Sequence, residues 1–119
     1  MSRRSERGAV TAELALGLPL LLAVTVGLVW LLAAATAQVR VVDAAREAAR
    51  VAARGDGIYA AQGVGRRIAP TGADLSVRLS GGEVRVEASA RIDGPGGLFD
   101  FLPAVRVHST AVAVAEEGG

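Results

Sequence analysis

The sequence predicts an α+β fold: a long N-terminal transmembrane helix that continues into an amphipathic helix, then a short helix and a small three-stranded antiparallel sheet. Three observations predict this fold. Residues 14–37 form an apolar run without a charge, residues 38–54 carry charges at helical spacing, and two alternating runs flank the pair Gly81-Gly82. In a chain of 119 residues, one small domain can form beside the apolar run.

The apolar run is long enough to cross a membrane. It spans 24 residues, and a helix rising ~1.5 Å per residue covers about 36 Å over that length, against roughly 30 Å of bilayer hydrocarbon. Pro19 lies inside the run, where a proline removes one backbone hydrogen bond and bends the helix, a change that membrane helices tolerate. We therefore predict one helix running nearly unbroken from about Ala12 to Arg54, with at most a bend near Pro19.

The residues before the run, MSRRSER, form a short basic leader of the kind that stays on the cytoplasmic side. Its three arginines do not decide the orientation alone, because four arginines follow the span within residues 40–54. We place the carboxyl end outside because the leader is short and a long tail can cross the membrane whatever its charge. The predicted division is a cleavable leader over residues 1–8, a membrane and assembly helix over 9–37, and a small extracytoplasmic domain over 38–119.

Glu13 stands at the threshold of the apolar run, where a carboxylate needs an explanation. At the bilayer centre it costs roughly 2.5–3.5 kcal/mol, and at the edge less. One interpretation is an acid near a helix N-terminus, stabilised by the helix dipole. The other is that cleavage between Gly8 and Ala9 leaves a free ammonium on Ala9, and that Glu13, then the fifth residue, pairs with the ammonium of a parallel neighbouring subunit. Neutralising both charges at low dielectric would favour correct stacking of subunits.

Residues 38–54 continue the helix with a charged stripe and an alanine face. The face opposite the charges, which includes Val42, is flat and narrow, so it can approach another helix or a sheet closely. Glycines on both sides of Asp56 then end the helix. Residues 58–69 predict a second, weaker helix, since Gly63 and Gly65 each cost about 1 kcal/mol relative to alanine. The stripe comprises Arg40, Asp43, Arg46, Glu47, Arg50 and Arg54, and the alanines opposite are Ala45, Ala48, Ala49 and Ala52.

Residues 74–93 predict a β-hairpin, because Gly81-Gly82 is a two-residue turn between alternating runs. Pairing Ser80 with Glu83 places every apolar side chain on one face and sets Arg78 opposite Arg85 on the other, which is unfavourable. The hydrophobic pattern therefore determines the register, and the charges only tolerate it. The resulting apolar pairs are Leu79–Val84, Val77–Val86 and Leu75–Ala88.

Residues 104–115 predict a third strand in which the valines change phase. Val105 and Val107 alternate in one phase, and Val112 and Val114 in the other. Either a bulge near Ser109 switches the faces, or one valine pair is exposed. Between the strands, residues 94–103 form a loop rich in glycine and proline, which either plugs the end of a small core or forms a partner-binding tip. This loop carries Phe99 and Phe101.

Catalysis, cofactor binding and metal binding find little support. The one histidine, His108, is predicted as a surface strand residue beside Ser109, and adjacent strand residues point to opposite faces, so the two form no catalytic pair. A single histidine and no cysteine leave no cluster of metal ligands. A formal net charge of +1 gives no electrostatic reason to expect nucleic acid as a partner. We therefore expect a protein that is not an enzyme and holds no cofactor.

Two segments carry a resemblance to known proteins. Gly8, then AVTA, then Glu13 before an apolar helix resembles the type IV prepilin cleavage motif. The run ELALGLPLLL, followed by QVRVVDAAREAARVAARGD over residues 38–56, is similar to the TadE-type minor pilins of tight-adherence (Flp) pilus systems. Major Flp pilins tend to carry tyrosine after the glutamate, whereas this chain has Leu14, and they lack a sheet domain. The resemblance is therefore to a minor pilin or pseudopilin.

This resemblance implies how the chain is processed and with what it works. A prepilin peptidase would cut between Gly8 and Ala9 on the cytoplasmic side, and Glu13 would act in assembly. The implied partners are other pilin subunits, the membrane, and indirectly the assembly ATPase and its membrane platform. The assembly would serve adhesion, secretion or DNA uptake, with the chain in the cell membrane or associated with a pilus at the cell surface.

Two other classes of protein stay open. The sequence Ala35-Thr36-Ala37 before Gln38 fits a signal-peptidase site, which would release residues 38–119 as a small secreted protein. Against this, the apolar run is longer than the ~7–15 residues of an ordinary signal peptide. The second class is a single-pass membrane protein that is never cut.

Overall fold

The computed structural model describes residues 3–93 and 104–116, and its elements form the predicted α+β fold. Two helices precede three strands, which form one antiparallel sheet in the order β1-β2-β3. The elements are α1 (Arg3–Ala53), α2 (Ile58–Ile68), β1 (Asp74–Ser80), β2 (Glu83–Ile92) and β3 (Val105–Val114). The loop over residues 94–103, with Phe99 and Phe101, lies outside the described residues.

α1 begins earlier than predicted, at Arg3 and not near Ala12, and it is 51 residues long. Arginine, glutamate and alanine are good helix formers, and the leader contains no proline that would stop the helix. Pro19 lies inside α1, and the helix continues on both sides of it. The predicted unbroken helix is therefore confirmed, with its start moved towards the amino end.

The carboxyl end of α1 is closed by the predicted glycine cap. Gly55 has a φ of 86°, in the left-handed region that favours glycine. Its amide donates to the Ala52 carbonyl over 3.1 Å, and the amide of Asp56 donates to the Val51 carbonyl over 3.4 Å. These two bonds are those of a Schellman motif, which satisfies carbonyls that the helix leaves without partners.

The chain forms two compact units, Met1–Leu32 and Ala33–Gly119. In the first unit the large apolar side chains of α1 are exposed; Leu16, for example, is 78% accessible. Among the described residues, α1 is the helix that is long and apolar enough to cross a membrane by length and composition. Lipid is the medium in which such an all-round apolar surface is stable, so this N-terminal helix fits a membrane anchor.

The core of the second unit lies between the alanine-rich side of α1 and one face of the sheet. Val41, Val84 and Val86 are its largest fully buried side chains. The pattern predicts Val42 on the buried side, but the structure buries Val41 and leaves Val42 half-buried. Val41 is three to four positions before buried alanines, so it is in line with them along the helix, whereas Val42 is about 100° away. Apart from Val41 and Val51, the residues that α1 contributes to the core are alanines, and these small side chains let the sheet approach closely.

α2 packs against its neighbours through Gly65. This contact explains why a residue that disfavours a helix lies inside α2. Gly65 is buried, and a methyl group added to it would collide with the Leu75 side chain and meet the Ala48 Cβ at 3.4 Å. At Gly63 the same methyl group would meet nothing within 4 Å. Gly65 is therefore the point at which α2 approaches both α1 and β1.

The hairpin has the predicted register in every pair. Ser80 lies opposite Glu83, and Val77 lies opposite Val86 on the core side. Both turn glycines have positive φ, 59° at Gly81 and 78° at Gly82, which is the requirement of a type I′ turn.

The pairing of β3 shows which of the two alternatives for its valines is correct. Its pairing with β2 is continuous from Val105 to Val114, so no bulge forms. Val107 is buried, whereas Val112 is 48% and Val114 80% accessible. The second of the two alternatives is therefore correct, and the exposed pair is at the carboxyl end of the strand. There β3 turns alanines towards α1, and small side chains suit a helix whose own facing residues are alanines.

Candidate functional site

The three residues of the predicted cleavage and assembly site lie together on α1. Gly8, Ala9 and Glu13 are all helical and exposed. Ala9 and Glu13 are four residues apart, so they lie on the same side of the helix, about 6 Å apart along its axis. The helix thus presents this motif to its surroundings immediately before the apolar segment.

Gly8 has no role in the packing or backbone geometry of the described chain. A Cβ added to it would meet nothing within 4 Å, and its backbone is helical. Every ordinary residue except proline would fit this position with less loss of helix stability than glycine.

Glu13 likewise forms no ion pair with the part of the chain that the structure describes. Within residues 3–93 and 104–116, the ion pairs are Glu47–Arg50 at 3.5 Å, Arg54–Asp56 at 3.4 Å and Arg91–Asp93 at 3.2 Å. None of them includes Glu13, whose side chain is exposed. The carboxylate is therefore available to a positive group from outside the chain.

Around Pro19 the helix offers small positions to a neighbour. Gly17 and Gly27 both have open space where a side chain would stand. Pro19 has no N–H, so the Ala15 carbonyl loses its helical donor. Small residues at such positions let a second membrane helix approach the backbone closely.

The described residues contain no group of three or more potential metal ligands. His108 lies exposed on β3, as predicted for a surface strand residue. Its Nε2 is 3.5 Å from the hydroxyl of Thr110, two residues along the same face. This contact is at the limit of a hydrogen bond.

The structure also brings together a surface that sequence reasoning missed. A groove of about 450 Å³ runs between the carboxyl half of α1 and β3. Three arginines from the charged stripe form one side of it. The sequence shows that arginine recurs at every fourth position, but it does not show that these arginines lie beside β3. The groove is lined by Arg46, Ala49, Arg50, Ala53, Arg54, Ala111, Val112, Ala113 and Glu116, and we call it the basic groove.

Comparison with known proteins gives two matches. Residues 8–50 match the family model described as TadE-like protein, which covers the Gly8–Glu13 motif and α1 as far as Arg50. The chain is also 41% identical over 85 residues to the protein named Apoptosis inhibitor Rv3655c of Mycobacterium tuberculosis (strain ATCC 25618 / H37Rv). The alignment covers 71% of this chain and 62% of that protein, so the chain spans less than two thirds of its relative. No solved structure matches the chain.

Proposed function

We propose that this chain, whose residues 8–50 match the model described as TadE-like protein, is a minor pilin or pseudopilin of a Flp-type (tight-adherence) pilus or secretion system. A prepilin peptidase removes the leader after Gly8, and the mature chain then takes part in pilus assembly. The observation that carries this proposal is the exposed Gly8–Ala9–Glu13 motif on α1, which has no packing partner or ion pair among the described residues.

Cleavage changes the electrostatics at the membrane edge. The leader contains three arginines and one glutamate, so the mature chain keeps 10 of 13 basic and 11 of 12 acidic residues, a net charge of −1. The new ammonium of Ala9 is then the nearest positive group of an adjacent parallel subunit to Glu13. Pairing the two removes the penalty of placing either charge at low dielectric, and it works only at one stagger between subunits. The glycines at positions 17 and 27 allow the helices to pack closely at that stagger.

The proposed topology places the leader in the cytoplasm and the sheet domain outside. The peptidase then acts on the cytoplasmic side, and the assembly ATPase acts through a membrane platform. Other pilin subunits contact the apolar part of α1, whose large side chains are exposed in the isolated chain.

The alternative of a secreted protein, cut after Ala37, is less well supported. Ala37 is 5% accessible and belongs to the core cluster of the second unit. A cut at this point removes one side chain of that core. It also makes Gln38 the new amino-terminal residue, although the side chain of Gln38 binds the backbone of β3.

The amino-terminal residue of the purified protein tests the proposal. Intact-mass spectrometry of the chain from membranes of its own host should give a species that starts at Ala9. A chain that starts at Gln38 would establish the secreted alternative, and one that starts at Met1 would establish an uncut membrane protein.

A further inference from the structure

β3 is an edge strand with free hydrogen-bonding groups. It pairs with β2 on one side, and no described strand pairs with its other side. The amide of Ala115 donates to the Gly82 carbonyl over 2.8 Å, so the odd-numbered residues of this ladder bond towards β2. In an antiparallel ladder the alternate residues direct their N–H and C=O groups to the opposite side. The free edge is therefore formed by the even-numbered residues of β3.

Gln38 already occupies one place along this edge. Its Nε2 donates to the His108 carbonyl over 3.2 Å, and its Oε1 accepts from the His108 amide over 3.3 Å. The side-chain amide thus makes the pair of bonds that a residue of a neighbouring strand would make. Beyond it, the outward backbone groups of Thr110, Val112 and Val114 have no hydrogen-bond partner among the described residues, which leaves a site about five residues long.

The open part of the edge lacks three of the features that protect edge strands against pairing. Natural edge strands carry lysine, proline or a bulge that discourages a second strand. The segment of β3 over residues 110–114 has none of these, and it exposes Val112 at 48% and Val114 at 80%. β-branched side chains at such positions favour the addition of a strand.

The arginines along the basic groove are spaced like alternate residues of an extended chain. The backbone amide of Glu116 donates a hydrogen bond to the Ala53 carbonyl over 2.9 Å, and Gln38 contacts His108. Because the earlier residue of α1 contacts the earlier residue of β3, the two elements run side by side in the same direction. Arginines four residues apart on α1 rise by ~6 Å, and alternate residues of a strand are about 6.6 Å apart. Successive arginines therefore match alternate side chains of a strand laid in the groove. The arginines are Arg46, Arg50 and Arg54.

These arginines are free to exchange their present partners. Arg50 contacts Glu47 at 3.5 Å and Arg54 contacts Asp56 at 3.4 Å, and their side chains are 68% and 50% accessible. Ion pairs this exposed are weak. A carboxylate from a bound strand can replace them at little cost.

A second copy of this chain does not fit the groove well. If two β3 edges paired across a two-fold axis, the arginine row of each copy would flank the same junction, and like charges would face each other. We propose instead that the basic groove binds an extended acidic segment of a partner protein. The segment adds as a fourth strand along Thr110–Val114 and places alternate carboxylates against Arg46, Arg50 and Arg54. This inference does not depend on the pilus role.

Peptide binding to the full chain in detergent tests the charge requirement. The probe is a labelled synthetic heptapeptide of alternating valine and glutamate, and the comparison peptide alternates valine and lysine. We expect saturable binding of the acidic peptide that weakens as salt rises. The double variant Arg46→Ala/Arg50→Ala should weaken it about tenfold, whereas Arg78→Ala/Arg85→Ala, on the outer face of β1 and β2, should leave it unchanged. Equal binding of both peptides, or equal loss in both double variants, would overturn the proposal.

Hydrogen exchange tests strand addition separately from charge attraction. On binding the acidic peptide, the amides of Thr110, Val112 and Val114 should exchange at least about tenfold more slowly, with no change at Leu79 on the other edge of the sheet. Binding that leaves these three amides unprotected would overturn strand addition. Val112→Pro removes one outward N–H, which an edge strand tolerates, and should abolish the protection. If sedimentation instead shows a dimer of the chain that Val112→Pro dissolves, the occupant is a second copy and the proposal is wrong.

Discussion

The side-chain amide of Gln38 forms two hydrogen bonds with the backbone of His108, although the two residues lie 70 positions apart in the chain. This amide connects the carboxyl third of α1 to the edge of the sheet. At the other end of β3, the Glu116 amide donates to the Ala53 carbonyl over 2.9 Å. β3 is thus attached to α1 at two points. These two attachments hold the helix and the strand on either side of the basic groove.

The first prediction is that Gln38→Ala destabilises the second unit. The substitution leaves a backbone N–H and a C=O of His108 without their partner, so the free energy of unfolding should fall by about 1–2 kcal/mol. Hydrogen exchange of the Val84 and Val86 amides in the full chain measures this change. Gln62→Ala, a glutamine-to-alanine change on α2 at another half-buried helical position, is the matched control. Equal effects of the two variants would show that the amide bonds contribute nothing.

The sequence predicted those parts of the fold that a local pattern determines. The register of β1 with β2 follows from alternation around Gly81-Gly82, because a shift by one residue would expose every apolar side chain. The phase of the valines in β3 could not be decided in this way, since it depends on how closely the alanine side of α1 approaches. The contact between Gln38 and His108 has no local signal at all. Of the candidate site, Gly8 and Glu13 came from a motif, whereas the basic groove required the tertiary structure.

A second prediction compares two glycines of α2. Gly65→Ala should lower the free energy of unfolding by about 1–3 kcal/mol, because the new methyl group collides with Leu75 and must displace it. Gly63→Ala should raise it by up to about 1 kcal/mol, because the methyl group enters open space and alanine favours the helix. Hydrogen exchange of the same core amides gives both values. Changes of the same sign would refute the packing role of Gly65.

A third prediction concerns Gly8. Gly8→Val should accumulate as uncut precursor, because a branched side chain obstructs the peptidase while the chain itself has room for it. Intact-mass spectrometry of membrane fractions distinguishes the precursor from the chain that begins at Ala9. Gly17→Val makes the same chemical change at another open position of α1 and should still be cut. Normal processing of Gly8→Val would remove Gly8 from the proposed recognition motif.

The last prediction is that Glu13 acts in assembly and not in folding or export. Glu13→Gln keeps the shape and the hydrogen-bonding capacity of the side chain but removes its charge. If the carboxylate pairs with the Ala9 ammonium of a neighbouring subunit, this variant should insert in the membrane and be cleaved, yet be absent from sheared filaments or stop their formation. Glu6→Gln is the matched control, because the proposed cut removes Glu6 with the leader. Filament yield and membrane content are both read from fractionated cells by immunoblot.

Two other outcomes identify the competing explanations for Glu13. If the acid only interacts with the helix dipole, its loss changes stability by less than ~1 kcal/mol, and assembly should be nearly normal. If the peptidase reads the acid, uncleaved precursor should accumulate in Glu13→Gln as in Gly8→Val. The pairing mechanism requires that the variant is cleaved and stays in the membrane but does not assemble. The reason is that the substitution removes the partner of the neighbour's ammonium and leaves insertion and cleavage unaffected. Wild-type amounts of assembled pili containing Glu13→Gln would rule it out.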